Sequence, residues 1–372
     1  MVRRTLAAAA ALLLAPSALA STPRVHARAY VIENGASGQV LASYHARERL
    51  PIASLTKLMT VLLTLEHTRP SAVVTVAPGA AAVGESSVQL HTGERLSVRD
   101  LLEAALIQSA NDAADALAYF VGRGDEGRFV SLMNARARSL GLTDTHYVRP
   151  DGLDASGHVS SARDVTKLAR IDMRSPLVRS IVRRRTAKIA GGRTLYTWND
   201  LLGTFPGVIG VKTGHTAAAG WSEVAAAVKP GVTIYATILG SPDRATRNAD
   251  LAALLRWGLS RYGPVRAVVR DHVYARAETE FGRGDLELVP ERPLTPVVRL
   301  DRPLVTRIVA PGAVALPVRR DQRLGEIRVY QGARLLGIRP LVAARAVSRP
   351  GLAGRVGWYA GRTLHHVVGW FT

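Results

Sequence analysis

The chain has 372 residues, 47% of them apolar and 21% charged, which is enough to bury a core and too apolar for global disorder. It contains no cysteine, which excludes disulfides, thiolate metal sites and a thiol nucleophile. Its formal charge is +20, and only five of its 49 basic residues are Lys, so a negatively charged partner is expected: nucleic acid, a membrane surface or an anionic polymer.

The first twenty residues narrow that choice. Arg3 and Arg4 form a short basic region, Leu6 to Ala15 an apolar one, and Ala18-Leu19-Ala20 a small-residue cleavage site before Ser21. That is the pattern of a secretory signal peptide, and its apolar run is too short to span a bilayer. The arginine pair also fits a twin-Arg address. Removing the segment leaves +18. An exported protein meets little nucleic acid, so no nucleic-acid partner is expected, and anionic lipid or wall polymer takes its place.

Farther along, Arg28 to Glu33 and Gly38 to Tyr44 read as a hairpin around Asn34-Gly35-Ala36-Ser37. Leu55 to Glu66 is an apolar-periodic helix starting near Ser54. Val98 to Phe120 repeats the pattern but is interrupted around Ser109-Ala110-Asn111, residue types that favour caps and turns. From Gly207 to Gly240 the character is β, with runs Val208 to Thr213, Gly220 to Val228 and Val232 to Leu239 and a turn at Pro230-Gly231. Asn248 to Tyr262 returns to helix. Strands at both ends with helices between them predict an α+β domain whose sheet joins N- and C-terminal segments.

After Pro264, short β-branched runs (Val265 to Val269, Pro296 to Leu300, Leu304 to Val309, Ile327 to Tyr330) alternate with turns and predict a small all-β domain. Residues 264–372 hold 18 Arg, no Lys and nine acidic residues, so half of the remaining charge lies in under a third of the chain. In Leu352 to Thr372, Val356, Ala360, Leu364, Val367 and Phe371 share one side of a helical wheel, and Arg355, Arg362 and His366 fall on another. With Trp358, Tyr359 and Trp370, this is the pattern of an amphipathic helix lying on a membrane surface. Two Arg and two His argue against a spanning helix. The expected organisation is a signal peptide (1–20), a catalytic domain (21–263), a β-rich domain (264–350) and an amphipathic anchor helix (351–372).

Ser54-Leu55-Thr56-Lys57 is the only Ser-x-x-Lys in the chain. On a first helical turn, positions i and i+3 share a face, which brings an amine to a hydroxyl. Lysine is a base only if its pKa falls by roughly 3 units, which burial, a helix N-terminus or a nearby cation favours. Ser109-Ala110-Asn111 and Lys212-Thr213-Gly214 are likewise single occurrences, and they follow in that order. The triple resembles the penicillin-binding-protein and β-lactamase superfamily. The flanking residues Pro150-Asp151-Gly152-Leu153, Gly210-Val211 and His215-Thr216 narrow it to the D-alanyl-D-alanine carboxypeptidase family, from about Ala29 to Tyr262.

That resemblance implies an antiparallel sheet with helices, a β-rich second domain and a terminal membrane anchor. It also implies an acyl-enzyme mechanism on the D-Ala-D-Ala end of peptidoglycan stem peptides, with β-lactams as covalent inhibitors and no cofactor. By resemblance, Ser54 is the nucleophile and Lys57 its base, helped to stay neutral by the charge of Lys212. Ser109 relays a proton to the departing amine. Asn111, Lys212, Thr213, Gly214 and His215 line the substrate site, Ser54 and His215 N–H groups form the oxyanion hole, and Arg247 lies near the substrate carboxylate.

A DD-endopeptidase of the same family is an alternative that residues 264–372 argue against, and an inactive wall- or membrane-binding relative is disfavoured because all three motifs are intact. A class A β-lactamase is disfavoured because no Glu-x-x-Leu-Asn lies between the second and third motifs. His-Glu-x-x-His and Gly-x-Ser-x-Gly are absent, so no catalytic metal and no α/β-hydrolase nucleophile is expected. Thr143-Asp144-Thr145 and Ser160 to Asp164 read as turn and cap residues.

Overall fold

The computed structural model describes residues 21–368. The expected signal peptide, and Trp370 and Phe371 of the expected anchor, lie outside the described residues. The chain divides into two compact units, residues 21–260 and 261–368.

The first unit is built on five antiparallel strands: β1 (Ala29–Asn34), β2 (Val40–Tyr44), β3 (Val208–Thr216), β4 (Gly220–Lys229) and β5 (Val232–Ser241), in the order β2-β1-β5-β4-β3. Pairing of β1 with β5 joins the N-terminal hairpin to the C-terminal strands, as the sequence predicts. The main helices are α1 (Lys57–His67), α2 (Val98–Glu103), α3 (Asn111–Val121), α4 (Glu126–Ser139), α5 (Ala162–Asp172) and α6 (Arg244–Ser260).

Helix α1 is buried nearly all round, Lys57, Thr60 and Thr64 included, which makes it the central helix of the core. The predicted interruption in the second helical pattern has a specific form. After α2 the chain widens into a π-helical turn, Ala104–Gln108, and stops at Ser109, whose φ of +67° is left-handed. Helix α3 then restarts at Asn111. Ser161 caps α5 by accepting from the Asp164 N–H, the cap role expected of that segment. Helices α4 and α5 have no counterpart among the sequence-predicted elements. Their faces carry many Arg and Asp, and they are held through Phe129, Met133, Val165 and Leu168, all buried.

The second unit holds a six-stranded sheet of β6 (Ala275–Thr279), β7 (Leu286–Pro290), β8 (Val305–Val309), β9 (Ala313–Val314), β10 (Arg323–Gln331) and β11 (Arg334–Ala343), in the order β8-β10-β11-β7-β6-β9, besides a two-stranded pairing of Tyr262–Pro264 with Val297–Arg299. Ala277, Leu286, Leu288, Ile327, Val329 and Leu341 form its core. The predicted run at Val265 to Val269 is not a strand. Only Val268 makes a bridge, to Leu294, because the segment finds no continuous partner. Strand β11 was invisible in the pattern because Gly337 and Pro340 break it, yet inward packing of Leu341 and Ala343 holds it. Residues Leu352–Val368 form helix α7, on which Leu352 and Val356 are exposed while Trp358 and Tyr359 lie edge-on to Phe281. Among the described residues, no helix is long and apolar enough to cross a membrane.

The seat of α6 on the sheet sets the spacing of the layers. A Cβ on Gly258 would stand 2.5 Å from Ile32 Cδ1 and 2.9 Å from Ile234 Cγ2. Gly258→Val is therefore expected to cost about 1–3 kcal/mol by overpacking, read as a lower midpoint in denaturant titration.

Candidate active site

Ser54 sits in a 3-10 turn, Ala53–Thr56, that leads directly into α1. The turn is held from two sides. Gly152, with φ of +87°, passes so close that a Cβ would lie 2.0 Å from the Ala53 carbonyl oxygen. Gly214 of β3 packs from the other side, where a Cβ would stand 3.0 Å from Ile52 O and 3.1 Å from Ser54 N. Glycine at both positions lets two chain segments close on the Ser54 backbone.

A third constraint comes from His158. Its Nδ1 accepts the Val148 N–H at 3.0 Å, so the proton must reside on Nε2, which donates to Thr56 Oγ1 at 2.7 Å. Thr56 Oγ1 in turn donates to the Ala53 carbonyl at 2.8 Å. Burial pushes the imidazole down to about 4.

The Lys57 amine is fully buried and makes three short contacts: to Ser54 Oγ at 2.9 Å, Asn111 Oδ1 at 2.7 Å and the Asp151 carbonyl at 2.7 Å. Asn111 presents its oxygen because its Nδ2 donates to the Gly84 carbonyl. Two of the three partners can only accept. When the amine is neutral, its two N–H groups are claimed by Asn111 and Asp151, and its lone pair is left facing the Ser54 hydroxyl. Burial lowers its pKa to about 8, with Arg149 helping; Asp151, Asp115 and Asp112 pull the other way. That opposition is muted. The Asp151 carboxylate is held by Arg149 through two contacts of 2.6 Å, and Asp115 is itself pushed up to about 8, first by burial and then by Asp151 and Glu126.

Lys212, also buried, donates to Ser109 Oγ at 2.8 Å and to the Thr213 carbonyl at 2.7 Å. The left-handed turn at Ser109 aims its hydroxyl at this amine, two residues before Asn111 turns to Lys57. Burial drives the Lys212 pKa well down, and the repulsion between Lys57 and Lys212 is mutual, so a charge on either amine favours the neutral form of the other.

Thr213 and His215 continue along β3, Thr213 buried and His215 exposed with its ring stacked on Trp221 at 4.1 Å. Arg247 is buried near the start of α6. It contacts Glu223 Oε2 at 3.1 Å and Asp200 Oδ2 at 3.4 Å, donates to Asn248 Oδ1, and lies over the Trp221 ring. It meets the motif residues through β4, where Glu223 is the register partner of Thr213. Ser54, Lys57 and Asn111 therefore form one hydrogen-bonded cluster, Ser109 and Lys212 a second, and Arg247 stands one strand behind.

Sequence reasoning gave no role to Asp151, whose contribution is a backbone carbonyl, or to Arg149, Asp115, His158 and Glu223, which belong to no short motif. Among the described residues no group of acidic or histidine side chains could hold a metal ion.

The His158 tautomer predicts a pH effect on stability. The folded-state pKa of about 4 lies below the ordinary 6.5, so the unfolded chain takes up a proton that the folded one refuses between those values. Stability is expected to fall by about 3 kcal/mol as pH drops through that window. Denaturation of His158→Gln from pH 7 to pH 4 should show a correspondingly smaller loss.

Known proteins share both sequence and fold with this chain. Residues 17–243 match the family described as D-alanyl-D-alanine carboxypeptidase, peptidase S11. D-alanyl-D-alanine carboxypeptidase DacC of Escherichia coli (strain K12) is 31% identical over 99% of this chain and 98% of its own length. DacF of Bacillus subtilis (strain 168), of the same description, is 29% identical over 87% of each chain. Among solved structures, Streptomyces K15 DD-transpeptidase is similar with a TM-score of 0.62 at 30% identity, covering 65% of this chain and 100% of its own. Penicillin binding protein 5 from Haemophilus influenzae shares the fold with a TM-score of 0.64 at 23% identity, over 89% and 100%. By its motifs, its fold and these similarities, the chain belongs to the D-alanyl-D-alanine carboxypeptidase family.

Proposed function

We propose that this serine-type D-Ala-D-Ala carboxypeptidase removes the terminal D-alanine from peptidoglycan stem peptides through an acyl-enzyme on Ser54. The observation that carries the assignment of residues is the Lys57 amine, buried, lowered to about 8 and left with its lone pair toward the Ser54 hydroxyl. In this reading Lys57 takes the Ser54 proton as Oγ attacks the penultimate D-Ala carbonyl. The developing oxyanion is received by the N–H groups of Ser54 and His215. Ser109, hydrogen-bonded to Lys212, relays the proton taken up by Lys57 to the departing D-Ala nitrogen as the C–N bond breaks, which leaves Lys57 neutral again. Water then adds to the ester carbonyl and releases Ser54. Thr213 and Arg247 receive the terminal carboxylate, and β-lactams, which mimic the acyl donor, acylate the same hydroxyl.

The same proposal includes export by residues 1–20, a catalytic domain at 21–263, a β-rich domain at 264–350 and peripheral attachment to the outer face of the cytoplasmic membrane through 351–372. The exposed Leu352 and Val356, beside Trp358 and Tyr359, support the last of these.

Incubation with a labelled penicillin is expected to give a covalent adduct that Ser54→Ala abolishes; an adduct that persists in that variant overturns the assignment. The acylation rate is expected to climb about tenfold per pH unit and level off above about 8, because only the neutral fraction of Lys57 acts as base. Separately, deletion of residues 352–372 is expected to release the protein from anionic lipid vesicles in a flotation assay while D-Ala release in solution is retained.

A further inference from the structure

No step of the mechanism gives Glu223 a part, although it touches Arg247. It is fully buried on β4, opposite Thr213 in the β3–β4 register. Its Oε2 lies 3.1 Å from Arg247 Nε, but that N–H is directed to Asn248 Oδ1, and neither Glu223 oxygen accepts a hydrogen bond. A buried carboxylate without a donor is costly when charged and cheap when protonated. The charged groups facing it are Arg247 and Arg244 from α6, Lys212 from β3, and Asp200, which is held by Arg244 through contacts of 2.6 and 2.8 Å. Arg247 therefore already sits between two carboxyl groups, those of Glu223 and Asp200.

We propose that Glu223 is a specificity-determining residue that makes binding of an anionic substrate terminus depend on proton uptake: ionised, it occupies Arg247 in competition with the incoming carboxylate, and protonated, it leaves the guanidinium free to receive it. The inference rests on the reading that Arg247 and Thr213 bind the substrate's terminal carboxylate. A third carboxylate brought beside the two arginines would leave the pocket with excess negative charge, since Lys212 is driven toward its neutral form by burial. Taking one proton from solvent onto Glu223 restores the balance, with no bond to substrate formed or broken. Burial, opposed by Arg247 and aided by Asp200, brings Glu223 up to about 7, so the exchange falls in the neutral range.

The test compares Glu223→Gln with the unaltered enzyme on an acylated D-Ala-D-Ala peptide from pH 6 to pH 8.5, with Glu223→Leu as a second variant that removes polarity altogether. Titration of Lys57 is common to all three enzymes and cancels in the ratio of their kcat/KM values, whereas the change that loss of Glu223 makes to Lys212 acts on carboxylate and carboxamide substrates alike. That ratio, variant over unaltered, is expected to be near one at pH 6 and to rise about tenfold by pH 8.5, through KM rather than kcat. With the same peptide carrying a terminal carboxamide, the ratio is expected to stay flat. A ratio independent of pH in both variants, or one that rises equally for the amide, overturns the role of Glu223. If the unaltered enzyme nonetheless prefers carboxylate over amide and Arg247→Leu abolishes that preference, the carboxylate site stands and only the Glu223 inference fails. If carboxylate and amide are processed alike by the unaltered enzyme, both fail.

Discussion

Everything at the active site depends on keeping one amine out of water. Lowering a lysine from its ordinary 10.5 to about 8 requires differential solvation of about 3 kcal/mol between its two protonation states. No short motif supplies that. It comes from a helix whose first two turns are buried on nearly every side, so that Lys57 opens inside the core. Acceptors brought from elsewhere, Asn111 of α3 and the Asp151 carbonyl, then fix how the amine is oriented.

The surrounding carboxyl groups show how narrow the margin is. Three aspartates within range would restore the charge on Lys57 were they all free and ionised. Asp151 is clamped in a two-point contact with Arg149, and Asp115, buried with one oxygen lacking any hydrogen-bond partner, is pushed toward its protonated form. Glu223 repeats this arrangement one strand away, beneath Thr213. The site thus contains several groups whose charge is decided by burial first and by partners second. This makes the protonation of the whole cluster sensitive to small changes in packing.

The backbone devices serve the same end. Ser109 adopts a left-handed conformation after a π-helical turn, which lets one short segment send a hydroxyl to Lys212 and an amide to Lys57. Gly152 and Gly214 admit two segments against the Ser54 turn, and the His158–Thr56–Ala53 chain ties that turn to a loop a hundred residues away. Side chains with ordinary chemistry are placed with little freedom to move, which is what preorganisation of a site requires.

The sequence by itself determined the α+β character of the first unit, the hairpin pairing to the last strand and the break at Ser109, and its motifs pointed to the residues proposed for the site, because periodicity and short motifs are local properties. It left α4, α5, β6, β7, β9 and β11 unread, since charged residues interrupt the patterns of α4, α5, β6 and β7, β9 is only two residues long, and Gly337 and Pro340 disguise β11. Only the tertiary structure decided that Lys57 is buried, that a backbone carbonyl at Asp151 completes its shell, and that Arg247 shares its guanidinium with Glu223. Those outcomes depend on burial and on contacts between residues 20 to 100 positions apart, and neither is written in any local pattern.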